Sequence, residues 1–233
     1  MLEVKIFTLY PDLFPGPLDI GIFKKAKENK IWNLKVINIR DYSKDNHGTV
    51  DDTPFGGGSG MLLRPDILAS ALDNNIKKGE KIIYLSPRGK KFDQNVARSL
   101  SKEKNVNLIC GHFEGVDQRL LETRNIEEYS LGDFVLSGGE PASFVIIDAI
   151  VRLLPGVLGN KDSVKEESFE NHLLEYPQYT KPREWEGKSP PEVLFSGDHA
   201  KIKGWRLSQS EAITRRQRPD LWKKYLEKKN EKH

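Results

Sequence analysis

Apolar residues along the chain fall into short runs that alternate with longer amphipathic segments. Short apolar runs between turn residues are typical of buried strands, and apolar residues spaced three or four apart are typical of helices. The predicted strands are Leu2–Leu9, Leu34–Ile39, Lys81–Leu85, Val106–Cys110 and Tyr129–Leu136. The predicted helices are Gly16–Asn29, Pro65–Lys77, Phe92–Ser101, Asp117–Arg124 and Glu140–Leu154. This alternation predicts an α/β fold with a largely parallel sheet that helices cover on both faces.

The pattern changes after Pro155-Gly156. Residues 159–182 are polar and acidic and show no sustained period, which predicts an interdomain linker, although Leu173, Leu174 and Tyr176 would be unusual in a pure spacer. A small helical domain is predicted to follow from Arg183. The sequence therefore predicts an α/β domain at 1–158, a flexible linker at 159–182 and a helical domain at 183–233.

Charge is distributed unevenly along the chain. The net charge is +3, yet residues 201–233 contain eleven Lys or Arg and four Asp or Glu, whereas the remaining residues contain 26 basic and 30 acidic ones. A basic segment at one end is typical of an appended module for a polyanion, most often a nucleic acid. In this segment Trp205 and Trp222 bracket four arginines, which are suited to pairing with phosphates and stacking on bases.

Composition excludes several classes of protein. A single cysteine, Cys110, excludes a disulfide framework and a multi-cysteine zinc site within one chain, and its apolar neighbours indicate a packing role. The apolar stretch Ala142–Leu158 contains Asp148 and Arg152, so it predicts a buried helix and no membrane association. The first residues show no basic leader and no cleavage site, so we expect a cytoplasmic protein.

Glycine-bearing turns follow three of the predicted strands, at 85–89 (LSPRG), 110–115 (CGHFEG) and 136–140 (LSGGE), and another lies at 54–61 (PFGGGSGM). Because ligands of parallel sheets bind beyond the carboxyl ends of the strands, we expect the three turns to share one pocket. None reads as a dinucleotide fingerprint or a P-loop, and the zinc-protease and nucleophile-elbow motifs are missing. Backbone and apolar walls favour a flat heteroaromatic ligand such as adenine.

Polar candidates near the predicted pocket allow two interpretations each. Asp148 and Arg152 have the i, i+4 spacing of a surface ion pair, and equally of a functional pair. The glutamates of the linker form either a solvated charge run or a source of a catalytic acid; they are Glu166, Glu167, Glu170 and Glu175. His47, Asp51 and Asp52 are either functional or turn-forming residues before Pro54.

Longer strings carry a family resemblance. The strings HGTVDDTPFGGGSGML, YLSPRGKKFDQ, CGHFEGVDQR, YSLGDFVLSGGE, IDAIVRLLPGVLGN, EESFENHLLEYPQYTKP and FSGDHAKIKGWR occur in this order along nearly the whole chain. Together they resemble the bacterial tRNA (guanine-N1)-methyltransferases of the TrmD family. The resemblance implies a trefoil-knotted domain of the SPOUT class, a homodimer with an active site shared between subunits, and S-adenosylmethionine as methyl donor. It also implies methylation of N1 of the guanosine 3′-adjacent to the anticodon (position 37), with the tRNA anticodon arm as partner.

The resemblance assigns roles to individual residues. The implied catalytic residues are Glu167, as the base that removes the N1 proton, and Arg152, which stabilises charge on O6. The implied donor contacts are Tyr84, Leu85, Ser86, Pro87, Gly111, Glu114, Leu131, Gly132, Asp133, Phe134, Val135, Leu136, Gly138 and Gly139. The implied substrate contacts are His47, Asp51, Glu175, Trp205, Arg206, Arg215 and Arg216. A magnesium ion near Glu175 is a further candidate, without an assigned ligand set.

The sequence departs from the family pattern at two places. Many relatives have aspartate where this chain has Glu167, which keeps the chemistry but changes the reach of the carboxylate. After the glycine pair the chain reads Glu140-Pro141-Ala142 where many relatives read Glu-Leu-Pro-Ala, so proline falls in the first turn of the helix, where it is tolerated. Two alternatives remain: another knotted RNA methyltransferase, such as one acting on the ribose 2′-OH, and a non-catalytic RNA-binding module.

Overall fold

The protein, seen in a computed structural model, is described at residues 1–159 and 167–231. It divides into two compact units, Met1–Gly159 and Asn160–His233, with the boundary close to the predicted start of the linker.

A parallel sheet forms the centre of the first unit. Its five strands have the order β2-β1-β6-β5-β7, and every neighbouring pair is parallel. The strands are β1 Leu2–Thr8, β2 Trp32–Asn38, β5 Lys81–Lys91, β6 Asn105–Ile109 and β7 Glu127–Ser130. A short antiparallel ribbon, β3 Asp51–Asp52 and β4 Leu62–Leu63, stands apart from this sheet and flanks the glycine-rich stretch 54–61.

Helices cover both faces of the sheet, as the alternation of patterns predicts. They are α1 Gly21–Glu28, α2 Pro65–Asn75, α3 Gln94–Leu100, α4 Gln118–Thr123 and α5 Glu140–Val151. One apolar core contains Val4 and Ile146, and another contains Phe7 and Leu68, so alternate residues of β1 face opposite cores. Strands buried on both faces are rich in apolar residues, which is why β1 and β6 were predictable.

Helix starts in this unit follow local capping chemistry. The carboxylate of Asp93 accepts hydrogen bonds from the backbone N–H groups of Asn95 and Val96, and Asp117 accepts one from Arg119, so these aspartates cap α3 and α4. Helix α5 begins with proline in its first turn, as predicted. No helix within residues 1–159 and 167–231 is long and apolar enough to cross a membrane.

Two predicted elements extend further than the structure shows. The strand predicted at Tyr129–Leu136 ends at Ser130, because Leu131–Leu136 have no strand partner and instead form an irregular, largely exposed segment. The helix predicted at Gly16–Asn29 is interrupted at Ile20, which is extended, and Gly21, which has a φ of 58°. A 3-10 turn at Gly16–Asp19 therefore precedes α1.

The second unit contains two helices, α6 His199–Gln217 and α7 Pro219–Asn230. The described part of the predicted linker packs with them. Leu173 is buried, and the N–H of Leu174 donates to the hydroxyl of Thr214 on α6 at 2.8 Å. This packing explains the apolar residues that would be unusual in a spacer.

Candidate ligand cavity and nucleic-acid surface

The three glycine-bearing turns meet around one cavity of about 520 Å³ at the carboxyl edge of the sheet. Its walls come from the segments that follow β5, β6 and β7. Thirteen of the fourteen residues implied as donor contacts line it, and the exception is Asp133, which is exposed. A volume between about 300 and 1,000 Å³ suits a small organic ligand.

Glycine is required where two of these turns touch. The N–H of Gly139 donates to the carbonyl oxygen of Gly111 at 3.0 Å. A Cβ on Gly139 would lie 2.6 Å from Cα of Cys110, and one on Gly111 would lie 2.5 Å from the ring of Tyr84. The backbones after β6 and before α5 are thus in direct contact, which no larger residue permits.

The turn at 85–89 is a bulge within a longer strand. Leu85 and Lys90 both lie opposite Tyr129 of β7, so the residues between them loop out of the ladder toward the cavity. A Cβ on Gly89 would lie 2.5 Å from the carbonyl carbon of Glu128, so glycine is needed for the strand to resume. The predicted strand Lys81–Leu85 is therefore too short, because pairing returns after the bulge.

The cavity has an apolar rim and a small number of polar groups. Phe134, Val135 and Leu136 line it while remaining exposed, with 84% of Val135 accessible. Among the polar lining groups are Ser86, Glu114 and Gln118. The ring of Tyr84 is buried, and this burial, followed by the charge of Glu128, raises the pKa of its hydroxyl. The buried Tyr84 therefore stays neutral and shapes the floor.

A buried polar network lies beside the cavity and was not identified from the sequence. Nε2 of His112 lies 2.7 Å and 2.9 Å from the two carboxylate oxygens of Glu140, and the hydroxyl of Thr8 donates to the same carboxylate at 2.5 Å. The three residues are far apart in the chain. One sequence feature could have indicated Glu140. It directly follows two glycines and so stands in the first turn of α5, where a negative charge is favoured.

Cys110 packs at this junction, as its apolar neighbours predict. It is fully buried and free. Burial, and then the negative charge of Glu140, raise the pKa of its thiol.

Arg152 and Asp148 line another cavity, of about 370 Å³, between α5, α1 and the start of α3. The other lining residues are largely apolar and include Phe23, Phe144 and Val145. Partial burial raises the pKa of the Asp148 carboxyl, and the charge of Arg152 opposes this shift. Arg152 itself is half-buried at the C-terminal end of α5.

The linker glutamates lie in the second unit. Glu167 is half-buried, and Glu175 follows a tight loop in which Phe169, Asn171 and His172 have positive φ angles of 76°, 49° and 65°. The backbone N–H of Glu175 donates to the hydroxyl of Ser168 at 3.0 Å, which closes the loop beside Glu167. Glu166 lies outside the described residues.

His47 and Asp51 do not line the cavity at the carboxyl edge of the sheet. His47 is exposed in a turn that Asp45 organises, because the Asp45 carboxylate accepts from the N–H groups of His47 and Thr49. The hydrogen bond from Thr49 is the largest factor that lowers the pKa of Asp45. Asp51 is half-buried and pairs with Leu63 in the ribbon.

The four arginines between Trp205 and Trp222 lie in three different environments. The guanidinium of Arg206 lies 4.8 Å from the ring centre of Tyr176, and Trp205 packs against Tyr179 at 6.4 Å, so this pair also holds the described linker segment to the helix. Arg215 and Arg216, in contrast, are exposed. Arg218 forms a bidentate ion pair with Asp220, in which Nε and Nη2 donate to the two carboxylate oxygens at 2.8 and 2.6 Å.

No group of three or more potential metal ligands among His, Cys, Asp and Glu occurs within residues 1–159 and 167–231. The described residues thus give no direct support to a magnesium site at Glu175.

The first unit is therefore an α/β domain with a small-molecule cavity at the carboxyl edge of a parallel sheet, and the second is a basic helical unit. The family described as tRNA (Guanine-1)-methyltransferase TrmD matches residues 2–224. The chain is similar to proteins named tRNA (guanine-N(1)-)-methyltransferase. One from Pelagibacter ubique is 70% identical over 230 residues, which is 99% of this chain and 100% of that protein.

Others come from Wolbachia pipientis wMel, 51% identical over 94% of each chain, and from Rhodospirillum rubrum, 49% identical over 97% of this chain and 94% of the other. The chain belongs to the TrmD family. The resemblance stated from the sequence motifs is confirmed.

Proposed function

We propose that this protein transfers a methyl group from S-adenosylmethionine to N1 of the guanosine at position 37 of tRNA, next to the anticodon. The observation that carries the proposal is the family membership, which spans residues 2–224. The cavity at the carboxyl edge of the sheet supports it, because the residues implied as donor contacts surround it.

The cavity fits a donor of this kind. The direct backbone contact at Gly111 and Gly139 gives the ligand a floor of main chain, and Leu131 and Phe134 offer apolar walls for an adenine ring. The carboxylate of Glu114 faces the same cavity and suits a cationic group. When bound, S-adenosylmethionine supplies an electrophilic methyl carbon on a positively charged sulfur.

The remaining steps fall to side chains of this protein. Guanine N1 carries a proton at neutral pH, so a base must accept that proton when N1 becomes a nucleophile. We assign this role to the carboxylate of Glu167. Loss of the proton places negative charge on O6, and we assign its stabilisation to the guanidinium of Arg152.

The tRNA contacts are part of the proposal. Arg215 and Arg216 are exposed on α6 and suited to phosphates of the anticodon arm, and Trp205 and Arg206 lie on the same helix. His47, Asp51 and Glu175 are proposed as further substrate contacts, with magnesium a candidate at Glu175. A guanosine in a loop is less costly to unstack than one in a duplex.

We also propose a homodimer whose subunits share the active site, a trefoil knot in the first unit and a cytoplasmic location. Exposed apolar side chains support the dimer, since Ile20, Val135 and Val145 are 66%, 84% and 53% accessible in the isolated chain. Apolar surface of this kind is typical of an interface.

The test is the chemical identity of the product. Unmodified tRNA containing guanosine at position 37 is incubated with the protein and S-adenosylmethionine, digested with nuclease and analysed by mass spectrometry. We expect 1-methylguanosine, and no product when position 37 is adenosine. A 2′-O-methyl nucleoside, or tRNA binding without methylation, would support one of the alternatives instead.

A further inference from the structure

Glu140 is a buried carboxylate beside the donor cavity that the proposed reaction does not use. It stands in the first turn of α5 and is 1% exposed. It does not line the cavity, whereas His112, its partner at 2.7 Å, does. Any effect of Glu140 on a ligand must therefore pass through its neighbours.

The network around Glu140 joins three elements. Thr8 ends β1, His112 follows β6, and Glu140 begins α5. The hydroxyl of Thr8 also accepts from the N–H of Tyr10 at 2.9 Å, and the Tyr10 ring packs edge-on against the His112 imidazole, with 4.9 Å between centres. His112 is thus held by a carboxylate on one side and an aromatic ring on another.

The glycine pair of the cavity rests directly on this network. A Cβ on Gly138 would lie 2.7 Å from Oε2 of Glu140 and 2.7 Å from Nε2 of His112. The adjoining Gly139 N–H is bonded to the Gly111 carbonyl. A movement of the His112–Glu140 pair therefore displaces backbone that lines the cavity.

The pair also has a strong energetic reason to keep its geometry. A buried carboxylate is costly unless hydrogen bonds satisfy it, and removing one partner leaves the other unsatisfied. Oε1 of Glu140 accepts from Thr8, and Nε2 of His112, which carries at most one hydrogen, lies within hydrogen-bond distance of both carboxylate oxygens. Both oxygens therefore have a partner, which favours one arrangement of the three elements.

We propose that Glu140 is a positioning residue for the methyl donor: through His112 and the Gly138-Gly139 backbone it fixes the two cavity walls that follow β6 and precede α5. This inference rests on the proposed function, because it concerns donor binding in that cavity. Glu140 controls the affinity for the donor but not the rate of the chemical step, because its carboxylate does not contact the ligand.

The test is Glu140→Gln, which keeps the size of the side chain and removes its charge. Titration calorimetry with S-adenosylmethionine measures affinity, and steady-state methylation separates kcat from KM. We expect donor Kd and donor KM to rise about tenfold, because a neutral amide holds His112 and Thr8 less well. At saturating donor, kcat and KM for tRNA should stay within about twofold of wild type.

A double-mutant cycle with His112→Phe tests whether Glu140 affects donor affinity through His112. Phenylalanine keeps an aromatic ring against Tyr10 but has no nitrogen for Glu140. If the carboxylate acts through His112, adding Glu140→Gln to this variant should change donor Kd by less than about twofold. A full tenfold loss in both backgrounds would overturn the proposed route. His112 is partly accessible, so the single variant gives a second readout if Glu140→Gln is unstable.

Ser143→Ala is the matched control. Its hydroxyl is equally buried in the first turns of α5 and donates to the backbone carbonyl of Glu140 at 2.7 Å, so its hydrogen bond is to the main chain and not to the carboxylate that holds His112. We expect unchanged donor Kd. A folded Glu140→Gln protein with wild-type donor affinity would overturn the inference and leave the proposed function intact, whereas a wild-type protein without donor binding would overturn both.

Discussion

The backbone N–H of Gly139 donates a hydrogen bond to the carbonyl oxygen of Gly111 across 3.0 Å, so the start of α5 lies directly against the end of β6. This contact closes one side of the cavity at the carboxyl edge of the sheet and leaves no room for a side chain, because a Cβ on Gly139 would lie 2.6 Å from Cα of Cys110. The added methyl group would clash with backbone atoms, which cannot move aside as a flexible side chain could.

Gly139→Ala should therefore lower the free energy of unfolding by about 1–3 kcal/mol and weaken donor binding. Urea denaturation and calorimetry measure the two effects. Gly204→Ala is the control, since a Cβ there meets no atom within 4 Å and alanine favours the α6 helix by about 0.5–1 kcal/mol. A Gly139→Ala protein as stable as wild type would contradict the argument.

Glu167→Gln should reduce the single-turnover methylation rate by about 10²-fold or more, because the amide cannot accept the N1 proton. Donor affinity should stay within about twofold. Rapid quench with radiolabelled donor measures the rate, and the exposed Glu184→Gln of the same unit serves as control. Near-normal turnover in Glu167→Gln would show that another group is the base.

Arg152→Ala should lose a similar share of turnover, because charge on O6 would no longer face a fixed cation. Arg152→Lys keeps the positive charge but loses the planar guanidinium group, so we expect activity between those of the wild-type and alanine proteins. The same quench experiment ranks the three proteins. Equal rates for the alanine and wild-type proteins would remove Arg152 from the mechanism.

Arg215→Ala and Arg216→Ala should each weaken tRNA binding and reduce the slope of log K against log salt by about 0.7–0.9, if each side chain neutralises one phosphate. Filter binding over a range of salt concentrations measures the slope. Arg218→Ala is the matched control, because its guanidinium is already paired with Asp220. An equal change in slope for all three variants would argue against specific contacts by the first two.

Lys5 and Glu80 form a buried ion pair on which stability should depend. Their charged atoms lie 3.1 Å apart, and only 7% and 10% of the two side chains are accessible. Glu80→Gln should lower the free energy of unfolding by up to about 3–5 kcal/mol, because buried Lys5 would keep only its backbone acceptor at Asn75 and the longer ion pair with Glu3 at 3.7 Å. Urea denaturation measures this loss.

Two variants check the cause of that loss. Adding Lys5→Met to Glu80→Gln should recover much of the stability, because the buried charge that lost Glu80 is then removed. Lys35→Met is the control, since Lys35 is exposed and bonds to the side chain of Asn75, whose carbonyl also accepts from Lys5. A change below about 1 kcal/mol is expected there.

The hydroxyl of Tyr225 should lose its proton at a higher pH than the hydroxyl of an ordinary tyrosine. Burial, and then its hydrogen bond to Glu211, raise the pKa of the Tyr225 hydroxyl to about 12. The difference between the ultraviolet titrations of wild type and Tyr225→Phe should have its midpoint near that value and not near the ordinary ~10. A midpoint at the ordinary value would contradict the burial of this hydroxyl.

The same shift gives a stability effect with a definite sign. Between the ordinary pKa of ~10 and about 12, the folded protein keeps the Tyr225 proton while the unfolded chain loses it. The contribution is thus complete below pH ~10 and is lost as pH rises toward about 12. Stability of the C-terminal unit, followed by Trp222 fluorescence, should fall less steeply in Tyr225→Phe than in wild type.

The strands that the sequence predicted well are those buried on both faces. The runs at Leu2–Leu9 and Val106–Cys110 correspond to β1 and β6, because a central parallel strand is buried on both faces and is therefore rich in apolar residues. The equally apolar run at Leu131–Leu136 was wrong as a strand. Apolarity marks surface that avoids water, and it does not distinguish a sheet core from a cavity wall or an interface.

The sequence by itself determined the alternation of strands and helices, the basic C-terminal unit and, through its motif strings, the TrmD family. Strand order, the bulge at 86–89 and the burial of Lys5 and Glu140 were decided only by the tertiary structure. The physical reason is the separation along the chain over which each interaction acts. Periodicity and turn chemistry act between near neighbours, whereas Glu140 meets His112 and Thr8 only after the strands have paired.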